Sequence, residues 1–87
     1  MNVPITGNQI TLMEYAIGYR YDRIKRRKYK AFRNRFNENT SNPMWDGLVT
    51  IEYAEKYICK DGMIDYCVTR KGLDFLERIL DIIIEED

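Results

Sequence analysis

Histidine is absent from this chain, and its only thiols are Cys59 and Cys67. Two thiols fall short of a structural zinc site unless acids or a second chain complete it. They are also fewer than a small secreted scaffold carries, so both are expected as free thiols in a reducing cytoplasm. No Gly-rich phosphate loop, serine elbow or metal-binding acid cluster is present, which leaves no constellation for catalysis. Pairs such as Glu52 and Glu55 read as ordinary surface acids. A basic start followed by an apolar run is missing over residues 1–7, so no signal peptide is expected. No apolar run is long enough to span a bilayer. These absences point to a non-enzymatic protein without metal or cofactor, and without a membrane partner.

Net charge is missing too, since 14 Lys and Arg balance 14 Asp and Glu. The balance is polarised, however. Residues 20–35 hold nine cations (Arg20, Arg23, Lys25, Arg26, Arg27, Lys28, Lys30, Arg33, Arg35) against the single acid Asp22, while the chain ends in Glu85-Glu86-Asp87. Like charges this dense repel one another, and a polyanion would relieve them by neutralisation and counterion release. The alternative is a solvated face neutralised by acids elsewhere in the fold. Proline is absent from the stretch, so a long helix is allowed. At about 100° per residue, Arg20, Arg23, Arg26, Arg27, Lys30 and Arg33 share one helical face. Ile17, Tyr21, Ile24, Ala31, Phe32 and Phe36 share the other, giving an amphipathic helix with a cationic stripe. Lys25, Lys28 and Arg35 intrude on the apolar side, where their stems can lie along the core edge.

With 87 residues and 45% apolar content, the chain is expected to be a single folded domain, 1–87, with a small core. Residues 1–6 read as an extended lead-in. Asn8 is a candidate cap for a helix from Gln9, weakened at Gly18. One long helix to Asn37, or two with a joint near residues 18–24, both fit. Residues 37–43 are a loop ending in Pro43, and Trp45 is expected to plug the core. From Leu48 the apolar period becomes two, predicting a strand to Lys60. Asp61-Gly62 then predicts a two-residue hairpin with both turn residues at positive φ, setting Lys60 against Met63, Cys59 against Ile64 and Tyr57 against Tyr66. That register puts Cys67 on the face away from Cys59. Thr69 is a cap for a last helix over residues 70–85. Its apolar arc is wider than one packed face needs, so the surplus is expected either under the domain's two other layers or in a homodimer through Ile82 or Ile84. The fold class is α+β: N-terminal helix or helices, β-hairpin, C-terminal helix.

At the hairpin's exit, Tyr66-Cys67-Val68-Thr69-Arg70-Lys71-Gly72 resembles the pattern that ends the wing of many winged helix-turn-helix regulators. Gly47-Leu48-Val49 is similar to the turn that enters the wing's first strand. The resemblance covers residues 45–80. It implies a winged-helix-like DNA-binding domain, with a recognition helix in the major groove and a hairpin on backbone or minor groove. The chain departs from that family upstream, where three helices normally precede the hairpin and only one or two fit here.

Two functions follow. The first is a small DNA-binding regulator of bacterial or phage type. It would neutralise phosphates with Arg20, Arg23, Arg26, Arg27, Lys30 and Arg33, and add wing contacts from Lys56 and Lys60. Tyr19, Tyr21, Tyr29 and Phe32 interleave with these charges, a mixture suited to stacking on unpaired bases. Tyr21 and Phe32 are nevertheless expected in the core, leaving Tyr19 or Tyr29 free. Asn34 and Asn37 could read base edges but are expected only to fray a helix end. The second function is an adaptor or inhibitor docking the basic helix on an acidic protein surface.

Overall fold

The computed structural model describes residues 5–86. The expected lead-in lies mostly outside the described residues. Helix α1 (Gly7–Ala16) is capped by Thr6 and not by Asn8: the Gln9 amide donates to Thr6 Oγ1 at 3.2 Å, and the Thr6 amide donates to Gln9 Oε1 at 2.9 Å. This reciprocal pair satisfies donors that the first turn leaves open. The helix stops at Gly18, which takes φ +68°.

No long basic helix follows. Residues 21–23 form one 3-10 turn, and strands β1 (Lys28–Ala31) and β2 (Phe36–Glu38) fill much of the remaining segment. Two forces override the helical spacing. Cations at i, i+3 and i, i+4 would repel one another along a helix. In addition, Lys28-Tyr29-Lys30-Ala31 alternates polar and apolar, so an extended chain buries Tyr29 and Ala31 while both lysines stay in water. Tyr29 is accordingly 1% exposed, whereas Tyr21 and Phe32, expected in the core, are 81% and 52% exposed.

Helix α2 (Pro43–Thr50) occupies what reads as loop and early strand. Asn42 caps it through Met44 N at 3.0 Å, and Pro43 sits in the first turn, where a missing N–H does no harm. Strand β3 (Ala54–Ile58) therefore begins later than Leu48, after a turn in which Glu52 adopts φ +66°. Strand β4 (Ile64–Val68) pairs antiparallel with both β3 and β2, giving the sheet order β2-β4-β3.

The Asp61-Gly62 turn exists, but its register differs by one residue. Ile58 faces Ile64, Lys56 faces Tyr66 and Ala54 faces Val68. The Cys59 amide donates to Met63 O at 2.8 Å, and Gly62 N to Cys59 O at 3.0 Å; only Gly62 has positive φ. This is a three-residue loop with the left-handed position at Gly62. A one-residue slip exchanges faces. Tyr57 and Cys59 thus lie on the outer face with Asp65 and Cys67, not in the core. Cys59 donates to Asp65 Oδ2 at 3.3 Å, and the cysteines are not bonded to each other.

Helix α3 (Arg70–Leu80) starts at Thr69, as expected, but ends at Asp81, which is left-handed at φ 55°, ψ 46°. The β-branched run after it forms β5 (Ile83–Glu86), parallel to β1, with Tyr29 opposite Ile84 and Lys30 opposite Glu85. Alternation buries Ile82 and Ile84, at 9% and 2% exposure, within the chain's own core. They cannot form the expected dimer contact without leaving that core. The outer edge of β5 is sealed by α3: the Ile84 amide donates to Glu77 Oε2 at 2.7 Å, and Arg70 donates to Ile84 O at 3.2 Å.

One buried cluster joins both sheets and all three helices. Trp45 fills its centre as expected, stacked on Tyr66 at 5.3 Å. The Tyr66 hydroxyl donates to Asp46 Oδ1 at 2.7 Å and accepts from Asn42 N at 3.1 Å. Among the described residues, no helix is long and apolar enough to cross a membrane.

Candidate nucleic-acid interface

The basic segment doubles back at Arg26-Arg27. Lys25 and Lys28 exchange both backbone hydrogen bonds at 2.9 Å, and the two arginines between them sit at φ 53° and 63°. Two successive positive-φ residues define a type I′ turn, which favours Asn and Gly because a Cβ is strained there. Arginine at both positions costs roughly 1 kcal/mol each. The hairpin is held all the same, because Arg27 O accepts from Ile83 N at 2.7 Å and the Arg27 guanidinium pairs with Asp81.

The predicted phosphate contacts separate into three groups. Arg27 is occupied by Asp81 at the end of α3, and Arg20 is paired with Asp22 at 3.0 Å. Arg23 and Arg33 stand over the Phe32 ring, their guanidinium carbons 5.9 and 5.6 Å from its centroid, and Arg33 also donates to Tyr15 O at 2.8 Å. Arg26 is exposed at the hairpin tip, and Lys30 is exposed on β1. Lys25 and Lys28, which a helical projection sets on the apolar side, are exposed beside them. Among the described residues, Arg23, Lys25, Arg26, Lys28 and Arg33 make no salt bridge.

The two expected wing contacts lie elsewhere. Lys56 donates to Asp46 at 3.1 Å and to Ser41 at 2.8 Å, closing the network under Tyr66. Lys60 is exposed in the β3–β4 loop, on the other sheet. Asn34 and Asn37 lie outside any helix, and both are hydrogen-bonded within the fold. Asn34 acts as a substitute strand partner, donating to Val68 O and accepting from Val68 N, both at 2.7 Å. Asn37 donates to Asp65 at 2.6 Å.

Phe32 organises the exposed surface. Arg23, Lys25, Lys30 and Phe32, with Asp22, line a shallow depression of about 600 Å³. Phe32 also borders a depression with Tyr15, Gly18, Tyr19 and Arg20, which adjoins a third beside Tyr21. Its ring is seated on Gly18, where a Cβ would stand 2.6 Å from two ring carbons. The Gly18 carbonyl accepts from the Tyr29 hydroxyl at 2.5 Å, which ties this seat to the core. The period-two alternation of residues 28–31, continued one step, puts Phe32 outside with Lys28 and Lys30; that was the signal for it in the sequence.

Other chemistry is poorly supplied. Neither α1 nor α2 contains a Lys or Arg, so no cationic helix precedes the β3–β4 hairpin. Hydrogen bonding to Asp65, with burial, pushes the Cys59 thiol up, and burial pushes Cys67 up, so neither is poised as a thiolate. Among the described residues, no group of three or more Cys, Asp or Glu could hold a metal ion. No known protein family, curated protein or solved structure matches this chain.

Proposed function

We propose that this chain is a non-enzymatic, cytoplasmic nucleic-acid-binding protein, a small regulator of bacterial or phage type. It would meet phosphates through the hairpin of residues 25–28 and the cations beside it. The carrying observation is that the exposed Arg23, Lys25, Arg26, Lys28 and Arg33 have no acidic partner among the described residues. An uncompensated cationic cluster is the electrostatic footprint of a polyanion site. A winged-helix-like description of the fold draws on the β2-β4-β3 sheet, the β3–β4 hairpin and the Thr69-capped helix after it. Within that description the phosphate-binding element is a hairpin ahead of the wing and not a recognition helix.

Gel-shift titration with random duplex at two salt concentrations tests the function. About six phosphate contacts predict that log affinity falls with log salt at a slope of roughly −5. Replacing Arg23, Lys25 and Lys28 together with Gln should cut that slope by about half, whatever the sequence. No retention of the native protein at low salt would overturn the proposal and favour an acidic protein partner for the same surface. Unchanged retention after the triple substitution would also overturn it.

A further inference from the structure

We infer that the surface around Phe32 binds unpaired nucleic acid, with Phe32 as the platform on which a base stacks. This rests on the nucleic-acid function proposed above and narrows its substrate to single strands. Folding normally hides a phenylalanine, and this core had room for aromatics: Tyr29, Trp45 and Tyr66 are almost completely buried. Phe32 and Tyr21 are instead left in water inside the most basic stretch of the chain.

Phe32 is also held in place. One edge of its ring lies on Gly18, whose φ of +68° and lack of a Cβ create the seat. Arg33, anchored to the Tyr15 carbonyl, keeps its guanidinium 5.6 Å from the ring centroid, and Arg23 keeps its own at 5.9 Å. Both guanidinium carbons lie over the ring, so a stacking base would displace one of them from the face and leave it beside a flanking phosphate. Lys25 and Lys30 extend the charge along one adjoining depression, and Tyr21 offers a second ring beyond Arg20. In a duplex the base faces are already stacked on one another, so these rings would have nothing to meet and only the charges would act. On a single strand every base has a free face, and an aromatic ring accepts each of them.

Fluorescence anisotropy of the full chain tests this. The probes are a labelled thymidine oligonucleotide of about 15 nucleotides and a mixed-sequence duplex of equal length, at the same low salt. The single strand is expected to bind about tenfold tighter or more. Phe32→Leu, which keeps apolar bulk but removes the π face, should bring the ratio of the two affinities toward one. Tyr21→Leu, at a position too exposed to support the fold, should lower the ratio by a smaller factor. Equal affinity of the native protein for both probes, or a ratio unmoved by Phe32→Leu, would overturn stacking while leaving phosphate binding standing. Failure to bind either probe at low salt would overturn both. Urea unfolding of each variant, expected to match the native midpoint closely, separates lost stacking from lost fold.

Discussion

Gly72→Ala should be among the most damaging one-methyl changes available to this protein. Gly72 is buried in the first turn of α3, and a Cβ built there would stand 2.3 Å from the Tyr53 carbonyl oxygen, 2.7 Å from Val68 Cγ1 and 3.2 Å from Met13 Cε. The methionine can bend away, but the carbonyl is backbone and would have to retreat by roughly 1 Å to reach ordinary contact. It is not free to do so. Tyr53 O accepts from Thr69 N at 3.1 Å, Tyr53 N donates to Leu48 O at 2.9 Å, and the Thr69 hydroxyl donates to Glu52 O at 2.6 Å. The same hydroxyl accepts from Gly72 N at 3.1 Å as the helix cap. Moving the carbonyl therefore disturbs the joint between the β3 entry and the start of α3.

Overpacking a well-filled core costs about 1–3 kcal/mol, and weakening one backbone hydrogen bond adds about 1. Alanine's better helix propensity returns about 0.5–1 kcal/mol. The net expectation is a loss of about 2 kcal/mol, or about 10 °C in melting temperature for a chain this long. Urea unfolding followed by far-UV circular dichroism measures it, with the midpoint falling and the slope preserved. Gly7→Ala is the control, because a Cβ at Gly7 meets nothing within 4 Å. It should change stability by a few tenths of a kcal/mol at most. A Gly72→Ala midpoint equal to or above the native one would refute the close-approach argument.

Arg26→Asn should stabilise the protein by about 0.5–1 kcal/mol, because Asn suits the first position of a type I′ turn, and should make the salt slope of binding shallower by about one. Paired urea and anisotropy measurements read both effects. Stability should fall in acid. The Tyr66 hydroxyl, aided by Lys56, holds the Asp46 carboxyl below its ordinary 3.8, and Asn37 and Arg35 hold Asp65 below the same value. A depressed carboxylate contributes stability above its unfolded pKa and loses it as pH falls through the folded value. Urea midpoints should therefore decline below about pH 4, and less steeply in Asp46→Asn. Glu14, pushed up by burial, works in the opposite sense near its ordinary 4.5.

Local chemistry carried most of what the sequence could reveal. The Thr69 cap, the Gly62 turn, the buried Trp45 and the mixed α+β character all follow from signals a few residues wide. The basic segment misled because helical spacing was satisfied by residues that fold as a hairpin and a strand. Its turn has no glycine or asparagine to mark it, and both of its central residues are arginines. The hairpin register was lost through one residue, since Asp-Gly fits both a two-residue loop and a three-residue loop with glycine last. Ile82 and Ile84 fit surplus helix surface because nothing nearby in sequence announces a parallel partner 55 residues upstream, where Lys28 pairs with Ile83. The candidate site is legible as charge, but the exposure of Phe32 follows from strand β1, whose residues also satisfy helical spacing.

The zero net charge takes on meaning once the pairs are traced. Arg27, Arg35, Lys56, Arg70 and Lys71 each meet an acid, and those contacts join elements: the hairpin to the end of α3, the β2 approach to β4, α2 to β3, and α3 to β5. Among the described residues, Arg23, Lys25, Arg26, Lys28 and Arg33 make no salt bridge and lie in or near the basic hairpin, while Lys60 and Arg78, also without one, lie apart from it. The acidic end of the chain is not remote from the hairpin, because β5 runs beside β1 and sets Glu85 opposite Lys30 on the outward face. That register sets a carboxylate-bearing residue beside a lysine of the proposed phosphate-binding surface. Glu85→Gln should then raise affinity for an oligonucleotide by about twofold, in keeping with the small free energy of an exposed charge pair, and the gain should vanish at high salt. Anisotropy titrations of the native and variant proteins across a salt series would measure it. An affinity that falls, or a gain that persists at high salt, would mean that Glu85 does not compete for the basic strand.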